Sequence, residues 1–413
     1  MLLLIPAILI LVLAVASSSH AARFYISLNG KSFNNGTKER PLASLEDAAS
    51  KTSVNDTIII EEGEYLIKKT VRFKGEGPLH IVPSPGDNVI IKYTGTDMYA
   101  IGFEGAKISI ENLTIIRATN ANGNIIGISG KDTRISNCKI FFDGNFQPSK
   151  YDCIKILNTG SGTIIENCEI YGAPNQGVDT VGASNLIIRN NIIHNCQNAV
   201  VLKGGSSNNI IENNVCYDFK HGAIGLGGYT SKEYLNRNYE IGYSVVRKNT
   251  IYYRAPQNIG GGIFLHGANN CEVYNNTIYG AGLYIRNGGD PDNPESKCFN
   301  NKIFNNIIWR TGNDGILRVD PGNEVGLELL NNIYWKTSGS GEFKIGNEWI
   351  DYEVFKKKVS YDHNSIFADP MLKDPDSADF SLNGGSVCID RGVPIKGMNY
   401  SGESIDIGAH EYD

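Results

Sequence analysis

Lys155, Asp179, Lys203, His266 and Arg286 fall at fixed offsets inside short apolar segments that recur along the chain. Such types at such spacing can do acid–base chemistry. A lysine beside other positive charge has a lowered proton affinity and can act as a base. Arginine grips a carboxylate, and histidine can bind one or exchange a proton near neutrality. Asp143, Asp152 and Asp179 offer oxygens to a calcium ion, or a counter-charge to Lys203. The same residues on neighbouring strands can also form ordinary cross-strand charge pairs.

The segments are 153–157, 177–181, 199–203, 223–227, 262–266, 282–286 and 315–319. Their second and fourth residues are mostly apolar, so these point inward and the third and fifth outward. The third-position column reads Lys155, Asp179, Val201, Gly225, Phe264, Tyr284. The fifth reads Leu157, Val181, Lys203, Gly227, His266, Arg286. If successive segments pair about 4.8 Å apart, Lys155 adjoins Asp179 and His266 adjoins Arg286. Asp179 then lies diagonal to Lys203. Gly225 and Gly227 leave a bare stretch where a ring can lie, with Phe264 and Tyr284 beyond it. His221 and Lys155 flank the same face. The longest insertions, 143–151 and 253–261 on one side and 229–243 and 287–300 on the other, can wall it.

What positions these residues is a repeat. Asn or an Asn pair, with Lys248 before Asn249 in one copy, follows an Ile-x, Val-x or Leu-x step at 110–113, 135–138, 165–168, 188–191, 211–214, 246–249, 273–276, 303–306 and 329–332. The mean period is about 27 residues, in the range of a solenoid. Apolar residues alternate with polar ones and are largely β-branched, so the units are strands. Asn suits a sharp corner because it accepts positive φ, and its amide can bond the same amide one coil up. The chain has 45 Asn and 46 Gly among 413 residues, both weak helix formers. Three short strands per coil predict an all-β parallel β-helix of about 10–12 coils over 23–346. A helix over 44–51, capped by Ser44, covers one end. Irregular strands around Ile58, Val71, Ile81 and Ile90 start the coil. The segment 347–413 caps the other end, with a helix over 349–358. Phe141, Tyr171, His194, Tyr217, Tyr252, Tyr279, Trp309 and Trp335 form a stacked aromatic column. Cys138 and Cys168 share a corner position, as a disulfide or as buried thiols.

The net charge of −6 excludes indiscriminate nucleic-acid binding. Residues 1–22 read as a signal peptide, with an apolar run and then small residues. The expected mature protein is secreted, extracellular or periplasmic, and free of the membrane. Its eight Cys show no Cys-x-x-Cys zinc spacing.

The opening 24–65, the Asn-corner repeat and the ending 367–412, with its Asp406-Ile407-Gly408-Ala409-His410-Glu411-Tyr412, resemble the pectin-lyase-like right-handed β-helix proteins. The resemblance covers nearly the whole mature chain. It implies that the segments above line a carbohydrate groove. It also implies a polysaccharide lyase, an inverting glycoside hydrolase, a uronate epimerase or a surface adhesion protein. A cationic patch on an acidic protein points to an acidic polysaccharide, cut by β-elimination. Lys203 is then the base, with Asp179, His266 and Arg286 as the other catalytic residues. Lys155, His221, Gly225, Gly227, Phe264 and Tyr284 bind substrate, and Asp143, Asp152 and Asp179 can hold Ca²⁺. The alternatives are an inverting hydrolase using Asp152 and Asp179, and a non-catalytic rod. No Asp-Pro-His-Asp epimerase motif occurs.

Overall fold

The computed structural model describes residues 21–412, except 119–121, 145–149, 255–260, 291–295, 313–314 and 338–341. Most of the expected signal segment, 1–22, lies outside the described residues. Three long sheets run the length of the molecule, with 13, 12 and 12 strands. Each coil gives one strand to each sheet in turn. The sheet expected to line the groove, called the groove sheet below, runs from Val71–Phe73 to Glu348–Ile350 and holds the segments singled out above. The second sheet precedes the Asn corner and the third follows it. All pairings in these sheets are parallel except the last in the groove sheet, Phe343–Ile345 with Glu348–Ile350.

The corner divides its work between two residues. The first takes the left-handed backbone conformation, as at Asn190, Asn213, Asn275 and Asn305, where φ lies between 49° and 55°. Lys248 does so as well, at 53°. The second residue turns inward and builds a buried amide ladder through Asn191, Asn214, Asn249, Asn276, Asn306 and Asn332. Each side-chain amide donates to the next carbonyl oxygen at 2.9–3.0 Å. That oxygen also accepts the previous residue's backbone N–H, as Asn249 does from Asn214 at 3.0 Å. The ladder ends on the Ser365 hydroxyl at one side and on the Cys168 backbone at the other.

Asn249→Ala would strand two buried donors of Asn214, its backbone N–H and its amide. The expected loss is about 1–3 kcal/mol for each unsatisfied group, read as a lower denaturation midpoint. A midpoint within error of the native protein would contradict a structural role for the ladder.

The N-terminal end is closed by α1 (Leu45–Lys51), whose Leu45 and Ala48 are buried. Ser44 accepts the Asp47 N–H at 3.1 Å, as its sequence position requires. The strands around Ile58, Val71, Ile81 and Ile90 enter all three sheets.

The C-terminal segment behaves differently from expectation. The end of the coil is closed by the 343–350 hairpin and by α2 (Tyr352–Lys358), which starts at the Asp351 cap. Trp349 is on the hairpin strand, not in the helix. The stretch after about 369 turns back along the flank. There Leu372, Phe380, Leu382, Cys388 and Ile407 cover Tyr279, Ile307 and Ile333. Those outward apolar residues on the third sheet need a cover, and this burial is what draws the tail sideways. Asn275 and Asn305 pin it, donating to the carbonyls of Asp406 and Val393.

The aromatic column is stacked from Phe141 to Tyr252 at centroid distances of 4.5–5.1 Å. All eight cysteines are buried free thiols, so Cys138 and Cys168 form no disulfide.

Candidate functional site

The groove-sheet register pairs Lys155 with Asp179, Asp179 with Val201, Val201 with Gly225, Gly225 with Phe264, and Phe264 with Tyr284. Val181 pairs with Lys203, and Gly227 with His266, which pairs with Arg286. The inward residues Ile154, Val178, Val200, Ile224, Ile263 and Leu283 are fully buried. Both columns are therefore placed as the alternation requires, with one exception. Arg318, not Leu317, stands opposite Tyr284, so the segment 315–319 is shifted by one residue. Its apolar run Ile316-Leu317 allowed either register, and the buried pair Leu317 and Val319 decides it.

At the N-terminal part of the groove the Lys155 ammonium is ion-paired to Asp179 and lies 3.8 Å from Asp152. Both carboxylates are almost sealed, at 1% exposure for Asp152 and 2% for Asp179. Burial lowers the Lys155 proton affinity, but Asp179 and Asp152 outweigh it and hold the ammonium above its ordinary pKa. Asp152 accepts from the Asn175 amide at 2.8 Å and from the Gln176 backbone at 3.0 Å. Burial first, and Asp179 second, still push its carboxyl up to about 7. The Tyr99 ring lies over Gly127, the residue paired with Lys155.

Asp152 thus binds its proton more tightly folded than unfolded. Its contribution to stability is present below its ordinary pKa of 3.8 and is lost as pH rises to about 7. Asp152→Asn is expected to remove that slope from thermal melts across this window. Parallel slopes in the two proteins would contradict the assignment.

These residues do not fit a calcium ion. The ion takes six or more oxygens, about 2.3–2.6 Å away, whereas an ammonium already fills the space between Asp152 and Asp179. Asp143 is exposed and does not join them; no three His, Cys, Asp or Glu side chains converge among the described residues.

The expected bare stretch is not bare. A β-carbon on Gly225 would collide with the Phe264 ring, which lies across that residue. Gly227 has φ of 91° and is closed off by the His266 carbonyl and by Glu240. Missing side chains on one strand are filled by the next, because voids forfeit contacts. The ring surface on offer is instead that of Phe264 itself, with His266 5.0 Å away and Tyr229 beyond at 5.2 Å from His266. His266 is 8% exposed, and burial together with Arg286 lowers its pKa to about 3. It is neutral at physiological pH and presents no cation.

Lys203 is half-buried and its stem lies across Gly228. It has no carboxylate partner among the described residues, and no ion pair joins it to Asp179. His221 is exposed at the groove margin. Arg286 sits 3.3 Å from Asp320, whose other oxygen accepts from Arg318 at 2.6 Å. Burial opposes it, but the two guanidinium groups hold the Asp320 carboxyl below its ordinary pKa. Arg318 and Asp320 were missed because of the one-residue register shift. Glu240 was missed on a loop. It is fully buried and accepts from Gly204, Thr230 and Gly289, tying Thr230 and Gly289 to the edge of the sheet at Gly204.

A family model described as right handed beta helix region matches residues 86–239. No curated protein matches the sequence. Among solved structures, the chain is similar to pectate lyase Pel9A, with 16% identity, a TM-score of 0.61, and 96% of this chain and 97% of that one covered. It is also similar to a GH136 lacto-N-biosidase from Eubacterium ramulus, at 12% identity and TM-score 0.56, covering 80% of this chain and 66% of that one. XylC in complex with xylose follows at 12% identity and TM-score 0.55, covering 85% and 87%. The chain is a right-handed parallel β-helix of the pectin-lyase-like fold.

Proposed function

We propose that the protein is a secreted polysaccharide lyase that cuts a uronic-acid-containing polysaccharide by β-elimination. The observation that carries this is the contrast between two lysines on one groove. Lys155 is locked as a cation by Asp179 and Asp152, whereas Lys203 has no such counter-charge among the described residues. One can neutralise a uronate carboxylate and the other can take a proton.

Neutralising the carboxylate with Lys155 acidifies the C5–H, while Arg286, five strand steps further along, can hold the carboxylate of another residue of the polymer. Lys203 removes that proton as the C4–O bond breaks and a C4=C5 double bond forms. The departing oxygen takes a proton from solvent, and no water is added across the bond. Phe264 and Tyr284 offer faces for the sugar rings, and neutral His266 and exposed His221 offer hydrogen bonds. Similarity to pectate lyase Pel9A supports the choice of an acidic polymer.

Hydrolysis by Asp152 and Asp179 is less well supported. An inverting pair must reach the sugar and a water, and both carboxylates lie sealed beneath Lys155.

The test is incubation with pectate, alginate and glycosaminoglycans, with and without calcium. Ultraviolet absorbance of the unsaturated product is followed alongside new reducing ends. Both should rise together on at least one uronate polymer. Reducing ends alone would make the protein a hydrolase, and silence across the panel would favour a non-catalytic carbohydrate-binding rod.

A further inference from the structure

The groove sheet does not stop at Arg286. Its outward column continues from Tyr284 to Arg318, then Lys344, then Trp349. Directly paired residues share a face, so these side chains point the same way as Lys155. Three strand steps span about 14 Å, more than a single sugar ring. The last step is made by a tight hairpin whose Gly346 takes φ of 61°, which folds the chain back and brings Trp349 onto this face.

Two properties mark this extension. First, it is cationic: Arg286 and Arg318 share the single carboxylate of Asp320. Lys344 has no carboxylate partner among the described residues. Second, it ends in an indole that is 44% exposed yet fixed. The Trp349 ring is pressed against Gly315, where a β-carbon would collide with it, and the Lys344 ammonium stands 5.9 Å from the ring centre. A rigid exposed ring beside uncompensated positive charge suits a ligand with an apolar ring face and a carboxylate.

We propose that Arg318, Lys344 and Trp349 form a distal subsite for a uronate residue of an acidic polysaccharide, engaged only by chains long enough to pass Arg286. It rests on the reading of the groove as an acidic-polysaccharide site. The consequence is a preference for long chains that is separate from bond cleavage.

The test is calorimetric titration with a galacturonate disaccharide and with a long oligogalacturonate. It is run in a Lys203→Ala background so that binding is read without turnover. Lys344→Gln and Trp349→Ala should each weaken the long oligomer by about tenfold and leave the disaccharide unchanged. The Lys344→Gln loss should shrink at high salt. Lys344→Gln keeps the Trp349 ring and its contact with Gly315, so it guards against local unfolding in the tryptophan variant. Unchanged long-chain affinity, or equal losses on both ligands, overturns the subsite. Length-dependent losses without any elimination by the native protein keep the subsite and sink the lyase. Failure of both galacturonates to bind, and of alginate and glycosaminoglycan oligomers of the same lengths in their place, overturns both.

Discussion

Lys203→Ala is expected to lower the rate of elimination on a uronate polymer by about 10²–10⁴-fold, with KM little altered. A general base acts only as the C5 proton leaves, so its removal should fall on kcat. The choice of Lys203 follows from charge, not from position alone. Lys155 is nearer to two carboxylates, which raise its pKa and keep it protonated. Lys203 has no such anchor among the described residues, and its stem lies across Gly228, beside the strand that carries Phe264 and His266. Lys203→Arg separates the two roles a cation can have here. Arginine keeps the positive charge but does not deprotonate, so it should be as inactive as alanine. Activity retained in Lys203→Arg would assign Lys203 to carboxylate binding and remove it as the base.

The second large effect is on stability. Lys155→Met is expected to destabilise the fold by about 3–5 kcal/mol at neutral pH, because it leaves two buried carboxylates without their cation. The loss should be recovered on acidification. The Asp152 carboxyl is already raised to about 7 by burial and Asp179, and losing the ammonium raises it further, so stability is present at low pH and falls as pH increases. Chemical denaturation across the acid-to-neutral range reads this directly. A loss independent of pH would mean that Lys155 contributes packing alone.

The fold was legible because its signals are local and repeated. A residue with positive φ at a corner, then a buried amide, recurs at nearly every coil, and Asn fills both roles for separate reasons. The groove register was legible from Lys155 to Arg286 because polar residues or Gly mark outward positions on each strand, even where Val200-Val201-Leu202 and Ile263-Phe264-Leu265 are unbroken apolar runs. It failed at Ile316-Leu317, where adjacent apolar residues permit two alignments, and that single step hid Arg318 and Asp320. Gly225 looked like open floor because a sequence shows a missing side chain but not the neighbour that fills it. The Phe264 ring does. Asp152 looked like a metal ligand because its type and position suit one. Only the structure sets the Lys155 ammonium between it and Asp179. The tail after 369 looked like an end cap because it breaks the repeat. Its destination is fixed by Tyr279, Ile307 and Ile333, whose exposure on the flank cannot be read from their own coils.

The most direct measurement of the central claim is digestion of a uronate polymer in heavy-oxygen water, with the products weighed by mass spectrometry. Elimination predicts new non-reducing ends lighter by one water and no heavy oxygen incorporated at the cleaved bond. Products carrying heavy oxygen, with no unsaturated ends, would contradict it and show that the groove hydrolyses its substrate.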